Sequence, residues 1–240
     1  MSESTLTTEQ KRELVALLEE RARRKRYRLI DELFPDDGPY ARHLYPKHLE
    51  FFRAGAAHRE RLFMAANRSG KSVAGGAELT YHLTGRYPDW WEGKRFDKPI
   101  RALAAGDTSQ TTRDIIQNKL LGGLWDTPEF GSGLIPRDYL GKPTPSRGIA
   151  NAYEEITVEH VSGGTSRLAM RSYDQGRRIF QGVELDVVWL DEEVPQDVYE
   201  EALVRTMTTQ GVVYMTFTPL QGLTPLVVDF LETRSEQEPV

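Results

Sequence analysis

The chain has 240 residues, 39% of them hydrophobic and 28% charged, a net charge of −5 and no cysteine. This excludes a disordered chain, a protein that coats nucleic acid through bulk positive charge, and any disulfide, thiolate metal site or cysteine nucleophile. No apolar run approaches the roughly 18 residues of a membrane span, and the start, MSESTLTTEQ, has no signal-peptide pattern; a cytosolic protein with no membrane partner is expected.

Thr7 and Gln10 have capping-box spacing, and Leu14, Leu17, Leu18, Leu29, Ile30 and Leu33 recur at near-helical intervals, so the start of the chain reads as one helix running to Leu33. Within it RARRKRYR (Arg21 to Arg28) carries six basic residues in eight. That run is either a solvated helix face or a grip on DNA phosphates or on an acidic patch of a neighbouring subunit. FPDDGP (Phe34 to Pro39) stops the helix, and a second one is expected from Pro46 to Ala54 with Pro at its first position. Trp90 and Trp91, in the loop Tyr87 to Pro99, read as packing anchors rather than a stacking platform.

From Arg61 onward strands alternate with helices. Leu62–Ala66 and Ile100–Ala105 read as strands, and Ser109–Leu121 as a helix opened by Asp107 or Thr108. Residues 122–150 read as irregular. Ile156–Val161 and Arg167–Tyr173 read as a hairpin about SGGT, Leu185–Leu190 and Val212–Phe217 as buried strands, and Gln196–Met207 as a helix. The pattern predicts an α/β fold around a mostly parallel sheet flanked by helices.

AANRSGKS, Ala65 to Ser72, fits the relaxed nucleotide-loop pattern of a small residue, four variable positions and Gly-Lys-Ser. Gly70 permits the turn that aims backbone N–H groups at phosphate, and the following helix adds its positive end. Lys71 is the β,γ-phosphate cation and Ser72 the Mg²⁺ hydroxyl, and Arg68 stands where a guanidinium can touch the γ-phosphate. Ala66, Asn67, Arg68, Ser69, Gly70, Lys71, Ser72 and Val73 are the expected nucleotide contacts.

Such a loop needs a metal carboxylate on a neighbouring strand. VVWLDEE, Val187 to Glu193, supplies Asp191 as the metal ligand and Glu192 as the acid that polarises the attacking water. Glu193 reads as a surface or structural acid. In VVYMTFTPLQG, Val212 to Gly222, Thr216 and Thr218 share a strand face, from which their hydroxyls can meet the water or the γ-phosphate and transmit its loss.

In this order and spacing the motifs resemble the ATPase domain of the large terminase subunit of tailed double-stranded DNA bacteriophages. The resemblance covers about residues 45 to 225 and rests on YPKHLEFFRAG, HRERLFMAANRSGKS, YHLTGRYPDWWEG, SYDQGRRIFQGVELDVVWLDEE and TFTPLQG. It implies a P-loop NTPase of the additional-strand catalytic-glutamate class, with the Thr218 strand between those bearing Lys71 and Asp191. It also implies an ATP- and Mg²⁺-dependent motor that drives double-stranded DNA into a procapsid in the host cytoplasm. Such a motor works as a homo-oligomeric ring on the portal protein, with a small terminase subunit. Where the family's adenine segment usually offers glutamine, this chain offers Tyr45 and His48. An arginine finger acting between subunits would be Arg177, Arg178 or Arg205. The expected division is a helical extension over 1–45 and the ATPase domain over 46–240, without the family's C-terminal nuclease, for which the chain after Thr218 is too short. The rival readings are a helicase-like ATPase, which would need a second RecA-like lobe, and a nucleotide-gated ring-assembly or DNA-binding module, which would need no water-activating acid.

Overall fold

A computed structural model of the chain describes residues 7–180, 182–219, 222 and 224–237, without the side chains of residues 178, 179 and 233–237. Among the described residues there are seven strands: β1 (Glu60–Met64), β2 (Arg101–Gly106), β3 (Thr144–Pro145), β4 (Tyr153–Glu159), β5 (Thr165–Ser172), β6 (Val187–Asp191) and β7 (Val212–Phe217). They make one sheet in the order β1-β7-β6-β2-β5-β4-β3. The first five neighbours run parallel, and β4 and β3 extend the edge antiparallel. β6 and β7 are buried along their whole length, which is why both read as apolar runs rather than alternating ones. β7, last of the strands in the chain, lies between β1 and β6, as the resemblance implied.

Helices cover both faces. On one lie α2 (Pro46–Ala54) and α3 (Lys71–Thr84), with a three-part helix after β2: α4 (Ser109–Thr111), a π-helical stretch (Thr112–Gln117) and α5 (Asn118–Leu121). On the other lie α6 (Gln196–Thr206) and α7 (Pro225–Gln237). The helix over 109–121 was expected to be regular. Its register slips beside Thr112, whose hydroxyl donates to the Arg171 carbonyl (3.0 Å), and it is capped by Thr108. Trp91 is buried against Phe52 and Tyr81, the packing role expected of it.

α3 lies so close to the sheet that it tolerates no side chain where it crosses. A Cβ on Gly75 would come within 2.5 Å of Trp189 Nε1, and one on Gly76 within 2.7 Å of Leu134 Cδ1. A buried network then locks the helix to β1. Arg61 donates to Glu78 (3.0 Å from Nη1 to Oε2) and to the Phe51 carbonyl (2.8 Å), while His82 Nε2 lies 3.2 Å from Glu78 Oε1. The first turn of α3 is therefore placed by packing further along the same helix.

The N-terminal helix, α1 (Thr8–Tyr27), has the expected capping box at Thr7 and Gln10 but is shorter than its apolar spacing suggested. Arg28 leaves the helical conformation, and a separate 3₁₀ turn, Leu29–Glu32, carries Ile30 into the core beside Phe34. α1 itself buries nothing, and Leu14, Leu17 and Leu18 are exposed.

Candidate functional site

The insertion of β7 brings the loop after β1 and the acid at the end of β6 to one edge of the sheet. The loop is tied to β7 by the Ala65 amide, which donates to the Phe217 carbonyl. It passes through left-handed backbone at Arg68 (φ 62°) and Gly70 (φ 86°) before α3 starts at Lys71. At Gly70 that conformation carries no penalty, whereas at Arg68 it costs energy. Lys71 is buried; Ala66, Asn67 and Arg68 are exposed; Ser69, Ser72 and Val73 are half-buried. The Ser69 hydroxyl is buried and has no hydrogen-bond partner among the described residues.

Asp191 collects hydroxyls. Ser72 Oγ donates to its Oδ1 at 2.9 Å and Thr216 Oγ1 donates to the same oxygen at 2.6 Å. Thr216 in turn accepts from Trp189 Nε1 at 2.8 Å. Thr216 thus supports the carboxylate instead of facing a phosphate, a departure from the role expected of it. Of the two threonines only Thr218 stays at the surface of the site, where it donates to Asn67 Oδ1 (2.8 Å) and links the end of β7 to the loop. Burial raises the pKa of Asp191, against the two hydroxyl bonds and the positive charges of Lys119 and Lys71. Glu192 is raised too, first by burial and then by the charge of Asp191, with Lys71 opposing. Glu192 has left-handed backbone (φ 69°), and its amide donates to the Thr216 carbonyl (3.0 Å). A non-glycine residue held there stores strain of the kind found at functional sites.

His48 and Tyr45 meet the site from α2 and the residue before it. His48 is buried among Phe34, Tyr45 and Phe63, and its Nε2 would lie 3.1 Å from a Cβ on Gly70. Burial lowers its pKa, opposed by backbone groups of Ser69 and Gly70. It therefore supports the loop from beneath, and Tyr45, half-buried, stands nearer solvent. Of the three arginines, Arg177 is exposed in the turn after β5. The side chain of Arg178 lies outside the described residues. Arg205 pairs with Glu201 (2.8 Å from Nε), and its carbonyl accepts from the Leu185 amide, at the end of β6 remote from Asp191. Glu193 is half-buried, with Oε1 unpartnered among the described residues.

Two contributors escaped the sequence reading. Tyr173 shares its hydroxyl proton between the carbonyls of Asp191 and Ala105 (3.0 Å each), fixing the end of β6 against β2; nothing in its local pattern marks it. Trp189 is two residues before Asp191 and thus on the same strand face, a signal that was available from strand periodicity.

Among the described residues no group of three or more His, Asp or Glu side chains could hold a metal ion by itself. Ser72 and Asp191 offer two hard oxygen donors in contact, which fits a cation that takes its other ligands from phosphate and water.

Comparison with known proteins places the chain in a family. Residues 62–240 match a family described as terminase large subunit, T4likevirus-type, N-terminal. The chain is 35% identical over 252 aligned residues to the terminase large subunit of Salmonella phage P22, covering 98% of this chain and 49% of that protein. It therefore spans about half the length of this curated relative. Among solved structures it is similar to the HK97 bacteriophage large terminase (TM-score 0.54, 12% identity, 80% of this chain and 36% of the other). It is also similar to the large terminase of a thermophilic bacteriophage in complex with ADP (TM-score 0.50, 16% identity, 80% and 42%). At these identities the likeness to solved structures is one of fold.

Proposed function

The chain belongs to the terminase large-subunit family, and from that premise we propose that it is the Mg²⁺-dependent, ATP-hydrolysing motor region of a phage DNA-packaging machine. The observation that carries this reading is the Ser72–Asp191–Thr216 arrangement, with Lys71 next to Ser72 and Glu192 next to Asp191 in the chain. In this reading the machine moves double-stranded DNA into a procapsid in the host cytoplasm. It acts as a homo-oligomeric ring on the portal protein, supplied with DNA by a small terminase subunit.

The residues divide the work. Lys71, the loop amides and the first turn of α3 bind the phosphates, and Arg68 adds charge at the terminal one. Ser72 and Asp191 would hold magnesium, which when bound neutralises charge on the β- and γ-phosphates. Glu192 takes a proton from the water as its oxygen bonds to the γ-phosphorus and the bridging P–O bond to ADP breaks. A carboxylate whose pKa is raised by burial is the stronger base for that transfer. Tyr45 meets the adenine while His48 holds the loop. The Thr218–Asn67 bond links the γ-phosphate side of the loop to β7 and passes on the loss of phosphate. Arg177, exposed on the rim that carries the site, is the arginine best placed to reach a neighbouring subunit's nucleotide.

The test is phosphate release together with nucleotide binding. Glu192→Gln should keep ATP affinity and lose about 10²- to 10⁴-fold in turnover, and Lys71→Ala should lose binding itself. Wild-type turnover in both variants would end this reading.

A further inference from the structure

We infer that α1 of one copy docks antiparallel on the exposed face of α6 of the next copy, and that this is a contact through which the subunits assemble.

Among the described residues, two exposed helix faces combine apolar and charged side chains that neither the core nor the site uses. On α1, Leu14, Leu18, Arg21 and Lys25 fall on one face, apolar in its first half and basic in its second. On α6 and its cap residue Met207, which keeps helical backbone, Asp197, Glu200, Val204 and Met207 fall on one exposed face, acidic first and apolar last. Laid antiparallel, the faces complement each other: Leu14 meets Met207, Leu18 meets Val204, Arg21 meets Glu200 and Lys25 meets Asp197. The spacings also agree. At the α-helical rise the α1 positions stand at about 0, 6, 10.5 and 16.5 Å and the α6 positions at about 0, 4.5, 10.5 and 15 Å.

The charges are available. Arg23 and Arg24 pair with Glu20, and Arg26 and Arg28 reach Glu129 and Asp138, whereas Arg21 and Lys25 have no ion pair among the described residues. Among the described residues Asp197 likewise has none, and Glu200 meets only the neutral amide of Gln196 (3.1 Å). Both apolar ends are more than two-fifths exposed, from Leu14 at 44% to Met207 at 60%.

A chain cannot make this contact with itself. α1 is pinned at its end by Tyr27, whose hydroxyl donates to the Pro128 carbonyl (2.9 Å) and whose ring lies under Arg137. That segment packs through Phe130, Leu134 and Ile135 into the core on the α3 side of the sheet. α6 packs through Val198, Tyr199 and Ala202 on the opposite side. The sheet separates the two, so the partner face belongs to a second copy, and the contact is head-to-tail, able to propagate into a closed ring or a filament. α6 follows directly on the turn that carries Glu192, so a neighbour's helix would press on the element next to the acid. The contact adds to the assembly side of the reading above, and its failure would leave nucleotide binding at Lys71 untouched.

The absence of cysteine makes the test direct. Leu18→Cys and Val204→Cys placed in one chain should give disulfide-linked dimers and longer ladders under mild oxidation. They should form about tenfold faster than in a control chain with Leu18→Cys and Lys98→Cys, because docking raises the local thiol concentration. Asp197→Lys with Glu200→Lys should suppress the ladder, and Arg21→Glu with Lys25→Glu added to it should bring the ladder back. Circular dichroism would establish that each variant keeps its helices. Three results would overturn the proposal: cross-linking no faster than the control, indifference to reversal of the α6 charges, or equal dimer formation by Leu18→Cys alone. The last would mean that α1 pairs with α1.

Discussion

Two carboxylates are buried against α3 and have opposite fates. Glu78, on the helix itself, is held below its ordinary pKa of 4.5: burial pushes it up, but Arg61 and His82 together outweigh burial. Asp191, touching the first turn through Ser72, is pushed up by burial, and neither its hydroxyl partners nor the more distant Lys119 and Lys71 compensate. Both groups are almost inaccessible, at 0% and 2%. The difference lies in the partner. A guanidinium supplies a full countercharge at contact, while hydroxyls supply only dipoles. The lower half of α3 is thus electrostatically complete, whereas the upper end is incomplete in a way that a bound cation would correct.

The comparison can be broken most severely at Arg61. Arg61→Ala leaves Glu78 in the interior with only His82 beside it and should cost about 3–5 kcal/mol of unfolding free energy, measured by urea denaturation. A loss below 1 kcal/mol would mean that Glu78 is not held by its guanidinium. Thr216→Val removes one donor from Asp191 and strands the Trp189 N–H, and about 1.5–3 kcal/mol should go with that bond. Asp191→Asn tests the other half and has the opposite sign. With no cation present it relieves an uncompensated charge and should stabilise the protein by about 0.5–2 kcal/mol while abolishing hydrolysis. Destabilisation by this change would show that the site is already complete without a cation.

The shallowest effect is that of pH. Burial lowers the pKa of His82 below its ordinary 6.5, with Glu78 opposing, and Glu78 lies below 4.5. Both folded-state values are depressed, so the unfolded chain binds protons first as pH falls. The stability these groups contribute is complete above 6.5 and declines on acidification, first through His82 and then through Glu78. Thermal melts should show a falling midpoint from pH 7 to 5 that flattens in His82→Gln; an unchanged slope would remove His82 from the effect.

Much of the site was legible before any coordinates. Gly70, Lys71 and Ser72 announce themselves because a phosphate loop demands those residue types at fixed spacing. Asp191 and Glu192 do so only beside that loop, because acids at the end of an apolar strand are common on their own and gain meaning when a phosphate loop needs a metal carboxylate. The Arg61–Glu78–His82 network and Tyr173 did not, because their partners lie on different elements and no local pattern records which side chains meet. The same holds for α1, whose leucines have core-like spacing while no layer among the described residues covers them.

By itself the sequence determined the strand–helix alternation and singled out the loop and the acids that the fold brings to one edge of the sheet, since propensity, periodicity and motif spacing act over short stretches. Only the tertiary structure decided that Thr216 serves Asp191, that His48 props the loop and that α1 buries none of its residues. The first of these depends on β7 inserting between β1 and β6, and each turns on whether segments far apart in the chain meet, which local energetics cannot specify.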